Sequence, residues 1–141
     1  MAAIERTASG VWRGDLKRGN GAISATSGVL QNTPFSFATR FENAKGTNPE
    51  ELIAAAHAAC FSMAFANYLD TQGHKPQQIS TRATISLENG IIDNMRLVTE
   101  GQVPDLDAAT FKRLAAEAEK KCPVSNLLRS GLAITLEASL K

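Results

Sequence analysis

The chain has 141 residues, with 15 Lys and Arg against 14 Asp and Glu, a formal net charge of +1 and 43% apolar residues. That length suits one domain, which buries roughly two-thirds of the surface its unfolded chain exposes. A balanced charge without a basic run excludes a partner recognised through its phosphates, so no nucleic acid is expected.

Three short β-prone segments come first, at residues 9–12, 22–30 and 35–41. Gly14, Gly19, Gly21 and Pro34 separate them, which predicts a meander. The linker GDLKRGNG reads as a mobile hairpin loop. Asn48 then caps a helix, with Pro49 at its first position and Glu51 placed to close a capping box. Ile53, Ala56, Cys60, Met63 and Asn67 share one face of that helix, and Phe61, Phe65, Tyr68 and Leu69 make the rest apolar as well. A helix apolar nearly all round is expected to be buried, and Gly73 to end it.

Residues 79–87 alternate as a half-buried strand, Asn89-Gly90 turns the chain, and residues 91–103 run back as its partner. From Asp107 the apolar period becomes helical, placing Phe111, Leu114, Ala115, Ala118 and Cys122 on one stripe until Pro123 breaks it. A shorter helix from Pro123 to Arg129, a stop at Gly131 and an alternating strand over 132–138 complete an α+β pattern of sheet and packed helices. No apolar run approaches the roughly 18 residues of a membrane helix, and MAAIERTASGVWRGD lacks the apolar centre of a signal peptide. The expectation is a cytoplasmic protein with no membrane partner.

Two cysteines and two histidines, without Cys-x-x-Cys or His-x-x-x-His spacing, offer His57 and Cys60 to a metal but no second pair to complete the site. Gly19-Asn20-Gly21 is a turn between strands rather than a phosphate loop. His57 and Cys60 also raise the pairing of base and nucleophile. They diverge on one helix, no third residue orients the imidazole, and His57 reads first as a packed helix residue.

The cysteines differ more than they resemble each other. Cys122 lies where one helix ends and another begins, near the positive end of a helix dipole that lowers a thiol's pKa. Cys60, among Ala, Phe and Met, is raised by burial, so a reactive Cys60 demands an arginine. Arg18 in LKRGNG and Arg40 in FATRFE are the candidates. Cytosolic thiols are kept reduced, so a disulfide between the two is expected to be transient.

GTNPEELIAAAHAACFSMA, with TRFE before it and KCPVSNLL after it, resembles the OsmC branch of the OsmC/Ohr family of thiol-dependent hydroperoxide reductases. The likeness runs from Gly10-Val11-Trp12 through Ser27-Gly28-Val29-Leu30 to the final strand, nearly the whole chain. It implies a single OsmC-like domain of antiparallel sheets around a long buried central helix, assembled as an intertwined homodimer. It also implies that Cys60 is the peroxidatic cysteine, Cys122 the resolving one, and Glu50 the acidic partner of an active-site arginine. The OsmC motif favours Arg40 for that arginine, whereas Arg18 matches the position used in the Ohr branch. Both stay candidates.

The implied activity is reduction of organic hydroperoxides, with hydrogen peroxide a further candidate, under oxidative or osmotic stress. It needs no bound cofactor, only an external dithiol or lipoylated reductant. Glu50 and Cys60 stand ten residues apart on one helix, roughly 15 Å along its axis. One arginine reaches both only by spanning that gap or by meeting a glutamate from another chain, which points to a homodimer with a mixed site. The competing reading is a dimeric protein that binds a hydrophobic ligand and whose cysteines are inert.

Overall fold

A computed structural model describes residues 2–130; the expected helix stop at Gly131 and the strand over 132–138 lie outside the described residues. The chain divides into two compact units, Met1–Ile53 and Ala54–Lys141.

In the first unit the glycine-punctuated segments form an antiparallel sheet of β1 (Ala8–Arg13), β2 (Asn20–Ala25) and β3 (Thr33–Phe35), in that spatial order. Trp12 pairs with Gly21 and Gly21 with Phe35 across it. A Cβ on Gly21 would lie 2.4 Å from the Phe35 ring, so glycine lets the Trp12 and Phe35 rings meet with centroids 5.4 Å apart. The loop expected to be mobile is closed by Asp15, whose carboxylate accepts from the Lys17 and Arg18 N–H groups at 3.1 and 2.9 Å.

Two expected strands are shorter than their sequences suggested. Residues 22–30 leave the sheet after Ala25, because Gly28 at φ +80° closes a turn onto the Ala25 carbonyl. Residues 35–41 are mostly helix: Ser36 and Thr39 form a reciprocal capping box that starts α1 (Phe37–Phe41). The box outweighs the β propensity of the phenylalanines.

The helix α2 (Pro49–Thr71) starts where its capping signals predict. Asn48 Oδ1 accepts the Glu51 N–H at 2.8 Å, while the Glu51 carboxylate takes the Thr47 hydroxyl instead of closing the box. Gly73 at φ +85°, with His74 N–H on the Leu69 carbonyl and Gly73 N–H on that of Asp70, ends it as a Schellman motif.

The core of the second unit is a stripe of α2, Phe61, Phe65 and Leu69, against Leu114, Ala118 and Cys122. Phe65 is fully buried with its ring centroid 5.0 Å from that of Phe111, a burial contributing about 3 kcal/mol. The expectation that α2 is buried all round is corrected: Ala56 and Asn67 are exposed and Met63 is 75% exposed. One side of the helix is covered within the chain, and apolarity on the other side has no cover among the described residues. At 23 residues and a mean hydropathy of 1.4, α2 is also long and apolar enough to cross a membrane, contrary to the sequence expectation. Its Phe61–Leu69 stripe makes it a core helix.

β4 (Gln78–Glu88) and β5 (Ile91–Gln102) form the second sheet, a hairpin. Asn89 and Gly90, both at positive φ, make its turn, and a bulge follows Ser86. Asp107 caps α3 (Ala108–Glu119), and α4 (Pro123–Ser130) begins immediately after Cys122.

Candidate active site

Cys60 and Cys122 are 62 positions apart in the chain, yet their sulfurs are 3.5 Å apart, and both are free thiols. Helical spacing puts Cys60 on the turn of α2 that carries Phe61, so its sulfur lies beside the core. Cys122 is fully buried at the start of α4. Its carbonyl accepts the Asn126 N–H at 3.0 Å, the first bond of α4, which makes Cys122 the N-cap.

The N-cap position decides the electrostatics. Burial pushes the Cys122 thiol up, but the N–H and hydroxyl of Ser125, the Cys60 thiol and the Val124 N–H outweigh it and hold Cys122 below its ordinary 9.0. Burial pushes Cys60 above that value, and the Cys122 thiol adds to the rise while the Val124 N–H opposes it. The sulfur in the N-cap place accepts from two orphan N–H groups of α4 and a hydroxyl; the mid-helix sulfur has only the Val124 N–H to draw on.

His57, weighed from sequence as a base for Cys60, turns instead to Ser125: Nε2 lies 2.7 Å from Ser125 Oγ, and both residues are buried. Ser125 was missed from sequence. Its signal was its place three residues after an N-cap cysteine, where backbone and hydroxyl both face the cap. A cavity of about 290 Å³ beside this couple is lined by Ile85, Asp93, Glu119 and Arg129 among others.

In the first unit, Arg40 and Glu50 form the other polar centre. Arg40 donates to Glu50 Oε1 from Nε at 3.0 Å and from Nη2 at 2.7 Å. The Glu50 side chain is 10% exposed and that of Arg40 35%. Burial pushes the Glu50 carboxyl up, and the Arg40 hydrogen bonds and charge overcome it, leaving it below its ordinary value. Arg40 also stacks 5.1 Å over the Phe41 ring and lines an apolar cavity of about 430 Å³ with Trp12, Leu16, Phe35 and Phe37. Arg18 stays on its loop, paired with Asp15 at 3.1 Å and 90% exposed. Of the two candidate arginines, Arg40 is the partner of Glu50, and it comes from the same chain. Among the described residues no three His, Cys, Asp or Glu converge as a metal site.

The family model described as OsmC-like protein matches residues 42–137. The chain belongs to the OsmC family. It is 46% identical over 98% of its length, and 98% of the relative's, to the peroxiredoxin OsmC of Escherichia coli K12. Among solved structures, an organic hydroperoxide resistance protein OsmC from Legionella pneumophila matches at 25% identity and a TM-score of 0.66, covering 92% of this chain and 93% of that one. The organic hydroperoxide resistance protein OhrB of Bacillus subtilis matches at 27% identity and a TM-score of 0.60, covering 89% and 92%. The OsmC model spans Glu50, Cys60 and Cys122, while Arg40 and Arg18 precede it. The expected fold is thereby shown, with antiparallel sheets accompanying a long central helix.

Proposed function

We infer that this single-domain OsmC protein is a peroxiredoxin-like thiol peroxidase that reduces organic hydroperoxides to alcohols. The observation that carries the reading is two free thiols 3.5 Å apart whose surroundings push their pKa values in opposite directions. The names of the relatives support the same activity.

In the first step the Cys60 thiolate attacks the peroxide oxygen farther from the organic group. An S–O bond forms, the O–O bond breaks, and the alkoxide leaves and is protonated to the alcohol. Arg40 is the guanidinium that holds Cys60 charged and stabilises the departing alkoxide, a forked role lysine fills poorly, and Glu50 fixes its orientation. The aromatic cavity beside Arg40 suits the alkyl part of the peroxide. Cys122 then closes a disulfide with the Cys60 sulfenic acid, which forestalls irreversible oxidation, and an external dithiol or lipoylated reductant resets the pair.

The working form is an intertwined cytoplasmic homodimer whose site combines the Arg40–Glu50 couple of one protomer with the thiols of the other. Supporting this are the uncovered apolar side of α2 and the rise of Cys60, on which no described cation of its own unit acts. Met63→Glu should shift the protein toward monomer in sedimentation and lower peroxidase activity with it; an unaltered dimer would remove α2 from the interface.

A count of free thiols by mass spectrometry before and after one equivalent of cumene hydroperoxide tests the activity. Two thiols should be lost together. Two unmodified thiols would favour the hydrophobic-ligand reading, with the apolar cavity of about 430 Å³ as its site.

A further inference from the structure

Neither His57 nor Ser125 has a part in the chemistry above, yet they are the buried polar pair among the described residues of the second unit, and Ser125 stands in the first turn of the helix that Cys122 caps. Burial pushes the His57 imidazole down, with Glu119 opposing and Arg129 adding, so the ring is neutral near pH 7 and carries one proton. Nδ1 is buried without a partner among the described residues. A proton there would be an orphan donor, which proteins tolerate less well than an orphan acceptor. The proton therefore belongs on Nε2, where Ser125 Oγ accepts it. With its lone pair engaged by His57, the Ser125 hydroxyl has its own proton to give, and the neighbouring acceptor is the N-cap sulfur.

We propose that His57 and Ser125 are a positioning couple for Cys122: the imidazole fixes the Ser125 hydroxyl so that its proton points at the Cys122 sulfur and keeps that sulfur ready to attack. This rests on Cys122 being the cysteine that closes the disulfide. In that step the Cys122 thiolate attacks the sulfur of the Cys60 sulfenic acid; the S–S bond forms, the S–O bond breaks, and hydroxide leaves with the electron pair and is protonated to water. The groups that face the couple are Cys60 on α2, Glu119 on α3, Arg129 on α4 and, at the shared cavity, Asp93 on β5. Of these only the Cys60 thiol also donates to the Cys122 sulfur, and that S–H is gone once Cys60 is oxidised.

The test is the rate of disulfide closure against pH, in the full-length protein given one equivalent of cumene hydroperoxide, with peroxide loss in the same turnover as the reference for Cys60. Ser125→Ala should slow closure about tenfold at pH 7 and raise its pH midpoint by about one unit, the effect of losing one hydrogen bond to a charged group. His57→Leu should move the midpoint in the same direction, and His57→Gln, which keeps an N–H near the place of Nε2, should return it toward wild type. A wild-type midpoint in Ser125→Ala, or no difference between the Gln and Leu variants, overturns the proposal.

Should the wild-type protein form no Cys60–Cys122 disulfide, the failure belongs to the resolving role. The couple is then decided by the absorbance titration of the Cys122 thiolate in Cys60→Ser. An upward shift on adding Ser125→Ala supports it and an unmoved curve ends it.

Discussion

The mid-helix surroundings of Cys60 and the helix-start surroundings of Cys122 hold the same side chain at nearly the same place, and they treat it in opposite ways. In α2 every backbone N–H near Cys60 is committed to the helix, so burial dominates and the thiol is raised. At α4 the first N–H groups are uncommitted, and the sulfur that caps them is lowered despite complete burial. Backbone position, more than depth, sets the acidity of each thiol. Cys60, the peroxidatic cysteine of the proposed reaction, is the one with the greater need for a cation from elsewhere.

Replacing each member in turn breaks this comparison. Cys60→Ser should have the largest effect, lowering peroxide consumption by about 10³-fold or more, because no other group takes the peroxide oxygen. Full activity would mean that the raised thiol is a packing residue. Cys122→Ser should next abolish repeated turnover and leave a single one, ending in sulfenic or sulfinic acid detectable by mass. Continued turnover with the external dithiol alone would show that the lowered thiol is dispensable.

Arg40→Ala should cost about 10²-fold in kcat/KM, the usual loss for one charge-stabilising donor, and in a Cys122→Ser background should move the alkylation midpoint of Cys60 upward. The sign follows from the cation: without it the thiolate is less stable, so its share at pH 7 falls. The same variant leaves the largely buried Glu50 unpaired and should lower stability by roughly 2 kcal/mol, less than for a fully buried pair since Arg40 is partly solvated. Because the Glu50 pKa lies below its ordinary 4.5, the pair's contribution is present above that pH and is lost as pH falls through the lowered value. The smallest effect belongs to Arg18→Ala, within about twofold, as expected of an exposed ion pair. A loss as large as that of Arg40→Ala would transfer the role to the loop.

Much of the fold was legible because its signals are local. The Asn48-Pro49 start of α2, the Asn89-Gly90 turn and the Pro123 break each act within four residues, and the structure places elements accordingly. The reading of residues 35–41 as a strand failed because Ser36 and Thr39 cap each other, a signal present in the sequence but hidden by three phenylalanines. Of the site, the contrast between the cysteines was readable from Pro123 and from the alanines around Cys60. The pairing of Arg40 with Glu50 was not, since a contact between side chains ten residues apart leaves no local mark on either.

By itself the sequence determined where α2 and the β4–β5 hairpin start and stop, where α3 gives way to α4, the opposite tendencies of the two thiols, and the family motifs around both. Those properties are set by backbone geometry and by neighbours in the chain. Only the tertiary structure decided that Cys60 and Cys122 meet though 62 positions apart, that Arg40 rather than Arg18 holds Glu50, that His57 meets Ser125, and that one side of α2 is uncovered among the described residues. Each of those depends on which surfaces pack together, and an apolar pattern states that a face wants cover without naming what will cover it.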